Sequence, residues 1–221
     1  MRNLKRTHAE PVSLSLRLRW IEQILETVVI LHSSSILHAD ISCNNFFLDE
    51  NLNVKGGDFA GSSIDGETAL VCYEVRTSHP ELIDVTSESE VFALGSCLYE
   101  IMVGFKPFPE LTDCEVESAF SQGEFPNITS LDACKNIIVK CWARKYEQVA
   151  DILDEFRAEV KGIVKSKSKS TMFLLKLSLE TKSTPSGLLH HGCFAVKFWC
   201  ILPAALPLIV LPALVWKRYR S

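Results

Sequence analysis

The chain has 221 residues, 47% of them apolar and 23% charged, with a formal net charge of −4. That length suits one domain with an appended segment, or two small ones, and the apolar fraction excludes general disorder, while 10 Gly and 9 Pro exclude collagen-like or low-complexity character. The charge is divided: residues 161–221 hold ten Lys/Arg and one acid, Glu180, which leaves −13 on residues 1–160 and argues against nucleic acid as a partner.

Leu14, Leu18, Ile21, Leu25 and Val28 step by four and three, so the spacing predicts an amphipathic helix over 14–32, opened by Pro11 and Ser13. Phe46-Phe47-Leu48 and Leu52-Asn53-Val54 flank the polar turn Asp49-Glu50-Asn51 and read as a short hairpin, with a further strand interrupted by Gly56-Gly57. A polar loop follows to about Glu81. Residues 90–103 are apolar nearly all round, as a helix in the middle of a domain must be, and Gly104 stands past its end. Thr112 with Glu115 forms a capping box for a short helix stopping at Gly123, and helices are expected near 131–142 and 147–160. The body is therefore mainly α with a small β hairpin region.

Lys161 to Ser170 alternates Lys and Ser and reads as solvated, so 161–197 is expected to be a basic linker. Residues 198–216 contain no charge and end near Trp199 and Trp216, with Lys217, Arg218 and Arg220 beyond. By length this is a candidate transmembrane segment. Pro203, Pro207 and Pro212 leave open an interfacial or partner-bound segment, or a tail with no evolved role. The eight cysteines include no Cys-x-x-Cys pair, and Met1 to His8 has no apolar run. The expectation is reduced, mostly buried thiols in a cytoplasmic body, anchored to a membrane if 198–216 spans one.

Three short stretches carry chemistry together: His38-Ala39-Asp40-Ile41-Ser42-Cys43-Asn44-Asn45, then Asp58-Phe59-Ala60-Gly61, then His79-Pro80-Glu81. Phosphoryl transfer needs a carboxylate beside the attacking hydroxyl, and a second carboxylate with an amide oxygen to hold Mg²⁺. Singly, Asp40, Asn45 and Asp58 would each pass for a turn or cap residue.

In order and spacing the three stretches resemble the C-terminal lobe of the protein-kinase family, with a catalytic loop, a metal-binding Asp-Phe-Gly and an Ala-Pro-Glu. The resemblance covers about residues 12–160, including Phe92-Ala-Leu-Gly95 and Lys140-Cys-Trp142, and is closest to a fungal-type subgroup lacking the loop arginine. It implies Asp40 as catalytic base, Asn45 as a Mg²⁺ ligand and Asp58 as the main Mg²⁺ ligand, with ATP and Mg²⁺ as cofactors and a protein as substrate or partner. It also implies structural support from His38 beneath the loop, from Glu81 in an ion pair with Arg144 or Lys145 as candidate partner, and from Glu90. Glu90 stands where the family has an aspartate that braces the loop backbone, and the extra methylene leaves its reach undecided.

The departures bear on activity. Ala39 replaces the family's arginine, which answers a phosphate on the activation loop; Ser42 replaces a lysine directed at the transferred phosphate; Asn44 supplies no arginine of the tyrosine-kinase kind; Ala60 replaces a glycine. Positive charge on the transferring phosphoryl oxygens is most of the catalysis, so these losses cost rate. Only 37 residues precede His38, none of them glycine, so the N-lobe with its Gly-rich loop is expected to be absent from this chain. Two functions follow: a truncated copy of an ATP-dependent protein kinase, acting on Ser/Thr rather than Tyr and with little or no activity alone, or a non-catalytic, pseudokinase-type interaction module, membrane-tethered in one variant.

Overall fold

The computed structural model describes residues 12–180, with side chains through residue 166. The chain divides into Met1–Leu177, which carries all that follows up to the last turn of the final helix, and Ser178–Ser221. The candidate segment 198–216 lies outside the described residues, and among those described no helix is long and apolar enough to cross a membrane.

Helix α1 (Leu14–Ser33) starts where the Ser13 side chain accepts the Leu16 N–H, and buries Leu18, Ile21, Leu25 and Val28 together with Trp20 and Ile24. Its outer face steers the hairpin. Gln23 Oε1 accepts the Val54 N–H at 2.8 Å, and the Trp20 indole N–H donates to the Leu52 carbonyl at 2.9 Å. Strand β1 (Ile36–Leu37) pairs with β4 (Ser63–Ile64), Ile36 opposite Ile64; between them β2 (Phe46–Leu48) pairs with β3 (Val54–Gly56), Phe46 opposite Gly56. Both pairs are antiparallel, and they are the only sheets among the described residues.

The second strand of the hairpin begins at Val54 rather than Leu52, because Leu52 takes φ 59° in a turn whose amides at Asn51 and Asn53 are accepted by Asp49 Oδ1. Strand β3 stops at the expected Gly56-Gly57 break, with Gly56 as its last residue. A Cβ there would stand 3.0 Å from the Thr27 methyl, so α1 fills the space that an apolar side chain would otherwise take.

Helix α2 (Ser87–Val103) is the axis of the fold, buried at every residue from Ser89 to Met102. It starts three residues earlier than the hydrophobic run suggests, because Thr86 and Ser89 form a capping box, and it ends on Gly104 at φ 102°. Helix α3 (Asp113–Ser121) opens with the expected Thr112–Glu115 box. Helix α4 (Lys135–Trp142) is shorter than expected, since Cys134 at φ 65° cannot continue a helix. Helix α5 (Val149–Glu180) runs well into the stretch expected to be linker. Its Arg157 donates to Glu22 at 2.8 Å and to Glu26, which ties α5 back to α1. Aromatic rings join α2, α3 and α4: Phe92 meets Phe120 edge to face at 5.2 Å, and Phe125 stacks on Trp142 at 5.1 Å.

Candidate functional site

The stretch 38–45 leaves β1 and enters β2, so both of its ends are held by strands. Its turn is made at Ala39, which is fully buried at φ 69°, a left-handed conformation that costs a non-glycine residue energy unless the surroundings enforce it. The enforcing group is Glu90 from α2. Its Oε1 accepts the Ala39 N–H at 2.8 Å and its Oε2 lies 2.6 Å from Nε2 of His32, in the last turn of α1. The longer acid reaches the loop backbone, and it does so with no exposed surface.

Asn45 is buried, and its amide nitrogen donates both to the Asp40 carbonyl and to Asp40 Oδ2, each at 2.7 Å. That commits the Asn45 nitrogen and leaves its carbonyl oxygen as the atom a hard cation takes. Asp40 Oδ1, in turn, is a buried polar atom with no hydrogen-bond partner. Buried acceptors are nearly always satisfied, so an orphan at a loop of this kind is an acceptor kept for something else.

His38 lies beneath, buried, with Nε2 3.1 Å from the Gly57 carbonyl oxygen and its ring 5.1 Å from that of Phe59. The Gly57 N–H donates to the main-chain carbonyl of Asn45 at 3.0 Å, and Ser62 Oγ to the main-chain carbonyl of His38 at 3.0 Å. The peptide leading into Asp58 is thus pinned to both ends of the loop. Asp58 itself is exposed and turned at φ 60°. Asp40 and Asn45 are in direct contact, and Asp58 follows Gly57, whose backbone is bonded to the loop.

The Asn45 amide oxygen and the Asp58 carboxylate are oxygen donors of the kind that suits Mg²⁺ shared with phosphate oxygens. Among the described residues no three His, Cys, Asp or Glu side chains gather into a ligand set of their own.

Glu81 stands apart from this centre. Arg144, of the two basic candidates, is its partner, with Nη2 3.3 Å from Glu81 Oε2 and Nε 3.6 Å from Glu88 Oε1. Tyr73 lies near the buried Glu90, its hydroxyl 3.1 Å from Ser89 Oγ; burial first and Glu90 second push its phenol well above the ordinary range, so it stays a neutral hydroxyl. Three further residues are linked to the loop without a local motif to announce them: His32 through Glu90, Glu74 by direct contact, and Lys106 through Glu74.

Residues 3–176 match the family described as protein kinase domain. The chain is 35% identical over 98 residues to serine/threonine-protein kinase Nek3 of Oryza sativa subsp. japonica, a stretch that is 40% of this chain and 16% of that protein. It is 34% identical over 99 residues to the probable cell cycle serine/threonine-protein kinase CDC5 homolog of Encephalitozoon cuniculi, covering 41% of this chain and 21% of the relative. Over a longer stretch of 146 residues, 62% of this chain, it is 25% identical to serine/threonine-protein kinase PLK2 of Mus musculus, again 21% of that protein. The matched stretch is about a fifth of the length of these relatives or less.

Proposed function

The chain belongs to the protein kinase domain family, and from that premise we propose that residues 12–160 form the substrate- and metal-facing lobe of an ATP-dependent protein kinase directed at serine and threonine hydroxyls. The observation that carries this reading is the pairing within the loop: Asp40 Oδ2 is held by Asn45, while Asp40 Oδ1 is buried and unpartnered. A carboxylate pinned by one oxygen and unpartnered at the other keeps the acceptor needed to orient a substrate hydroxyl and take its proton. Asn45 and Asp58 are the residues that would hold Mg²⁺. When bound, MgATP supplies the phosphoryl group and neutralises part of its charge. His38 and Glu90 keep the loop in its strained turn, the one through Gly57 and the other through Ala39.

Preference for serine and threonine over tyrosine is supported by the relatives and by Asn44, which brings no cation to the loop. Turnover by this chain alone is expected to be small, because Ser42 and Asn44 leave the transferring phosphoryl group without loop cations and no glycine-rich loop occurs among the described residues. The same uncharged loop favours a second reading, a non-catalytic module that binds a partner protein. The nineteen uncharged residues at 198–216 support a membrane tether in either reading, which resistance to carbonate extraction would test.

Calorimetric titration of the full chain with ATP and Mg²⁺, followed by phosphate transfer to casein, separates the readings. The kinase reading expects Mg²⁺-dependent binding that weakens in Asp58→Ala, and transfer that disappears in Asp40→Ala while binding persists. No binding at millimolar ATP leaves the module reading.

A further inference from the structure

The stretch from Ser62 to Glu81 carries a carboxylate that the chemistry above does not use. Glu74 stands at the start of a single 3-10 turn, Val75–Thr77, to which its main-chain carbonyl is bonded while its side chain makes no cap bond. Its side chain instead bridges two other parts of the fold. Oε1 accepts the Asn44 side-chain N–H at 2.6 Å, and Oε2 accepts the Lys106 ammonium at 2.8 Å. Lys106 belongs to the connection between α2 and α3, and both charged side chains are only about a third exposed, at 35% and 31%. A charge-assisted pair in that setting is screened less than one on open surface. Two residues on, Arg76 donates to Asp113 and, at 2.6 Å, to the Leu111 carbonyl, so the same segment is fastened to the start of α3.

We propose that Glu74 is a positioning residue: a fixed carboxylate that docks the segment from β4 to α2 onto the loop 38–45 without phosphorylation. The inference rests on reading that loop as the catalytic one. Ala39 offers no cation to receive a phosphate on the segment. Here the anion is built in at 74, its cation is supplied from 106, and the contact with the loop is the amide of Asn44. Asn44 immediately precedes Asn45, and Asn45 holds Asp40, so restraint at 44 passes directly to the two residues that face the substrate hydroxyl and the metal. Asn44 and Lys106 meet Glu74 on different oxygens, and this separates the two contributions. A glutamine at 74 keeps an acceptor for Asn44 but loses the charge that holds Lys106, whereas alanine loses both.

The test uses the full, unphosphorylated chain, uniformly labelled with ¹⁵N, and compares wild type with Glu74→Ala, Glu74→Gln and Lys106→Met. Two indole N–H groups report on the rest of the fold: Trp142, bonded to Ser96 Oγ at 3.0 Å, and Trp20, bonded to the Leu52 carbonyl at 2.9 Å. In Glu74→Ala the side-chain amide signals of Asn44 and Asn45 should both move and amide exchange across 72–78 should rise about tenfold, with both indole signals in place. In Glu74→Gln and Lys106→Met the Asn45 signals should stay near their native positions while exchange across 72–78 rises about threefold. Unchanged Asn44 and Asn45 signals with unchanged exchange in Glu74→Ala would overturn the proposal. If that variant loses its indole signals, the other two decide, and native exchange in both is the overturning result. Absence of protection at 72–78 in the unphosphorylated wild type would overturn it as well. Failure to bind MgATP, by contrast, counts against the kinase reading and leaves these signals as they are.

Discussion

Glu90 on the central helix and Ala39 on the loop are joined by a 2.8 Å hydrogen bond between two fully buried residues, and the peptide it holds is in the left-handed region. The bond therefore does more than satisfy an amide. Without it the loop has no reason to keep Ala39 at φ 69°, and the turn that brings Asp40 against Asn45 relaxes. Glu90→Ala leaves a buried N–H unsatisfied, which costs about 1–3 kcal/mol. Glu90→Gln retains an acceptor for Ala39 but changes the contact with His32, so it should be the milder variant. Urea midpoints rank the two, and amide exchange at Ala39 shows whether the loss is local. Equal destabilisation by both would mean that the acceptor at Ala39 contributes nothing.

Gly95 packs α2 closely against α4. A Cβ at this position would stand 2.8 Å from Cys141 Cβ and 3.1 Å from Trp142 Cδ1, and neither is the far end of a flexible side chain. Gly95→Ala is expected to destabilise by about 1–3 kcal/mol through overpacking, although alanine is the better helix former. Because the atom in the way is a Cβ, adding Cys141→Ala should not rescue it. A Gly95→Ala chain as stable as the parent in urea would show that the helices separate at no cost.

What was legible in the sequence was local. The four-and-three spacing of α1, the capping box at Thr112 and the five-residue step from Asp40 to Asn45 each depend on neighbours along the chain, and each is found in the structure. The contacts that hold the loop from outside are not local: His32 meets Glu90 across 58 residues and Glu74 meets Lys106 across 32. A polar loop has no period to betray which of its carboxylates turns inward, so Glu74 left no trace in the pattern. The partner of Glu81 could be narrowed to two basic residues, and Arg144 takes the role because the chain turns there at φ 55° after α4. The length of α5 was hidden for another reason. Alternating Lys and Ser reads as solvated chain, yet Lys and Leu are good helix formers and no proline interrupts 149–180, so Gly162 and the serines weaken the helix without ending it.

His79 gives the stability a predictable pH dependence. Burial, and after it the charge of Arg144, hold its imidazole below the usual value, against the opposing pull of Glu81, of Glu88 and of the Phe120 backbone. The folded ring thus resists the proton that the unfolded one accepts. Folded stability from this residue is complete above the unfolded value of about 6.5 and is lost as pH falls through that value towards the folded one. His79→Asn is designed to keep an acceptor for the Glu81 N–H, which His79 Nδ1 takes at 3.2 Å, and to remove the titration. Urea midpoints between pH 7.5 and 5 should fall less steeply in the variant than in the parent; parallel curves would show that His79 does not titrate differently on folding.

The cysteines separate by burial, and alkylation should read this directly. Cys43, Cys97, Cys134 and Cys141 are buried, while Cys72 and Cys114 are exposed. Burial, with Glu159 adding to it, pushes the Cys134 thiol up to about 12, and burial pushes Cys141 up as well. At pH 8 a thiol of that kind has about ten-thousandfold more thiol than thiolate, and only the thiolate attacks iodoacetamide. Both the missing thiolate and the missing access must be overcome by opening the core, so Cys134 and Cys141 should be labelled only as fast as the fold unfolds, and Cys43 and Cys97 with them. Peptides carrying Cys72 and Cys114 should be modified well before that. Dilute urea separates the two causes: it should accelerate the buried set together while leaving the exposed pair almost unchanged. Cys134 labelled at the rate of Cys114 in native buffer would mean that the turn before α4, where Cys134 stands at φ 65°, opens by itself without the core.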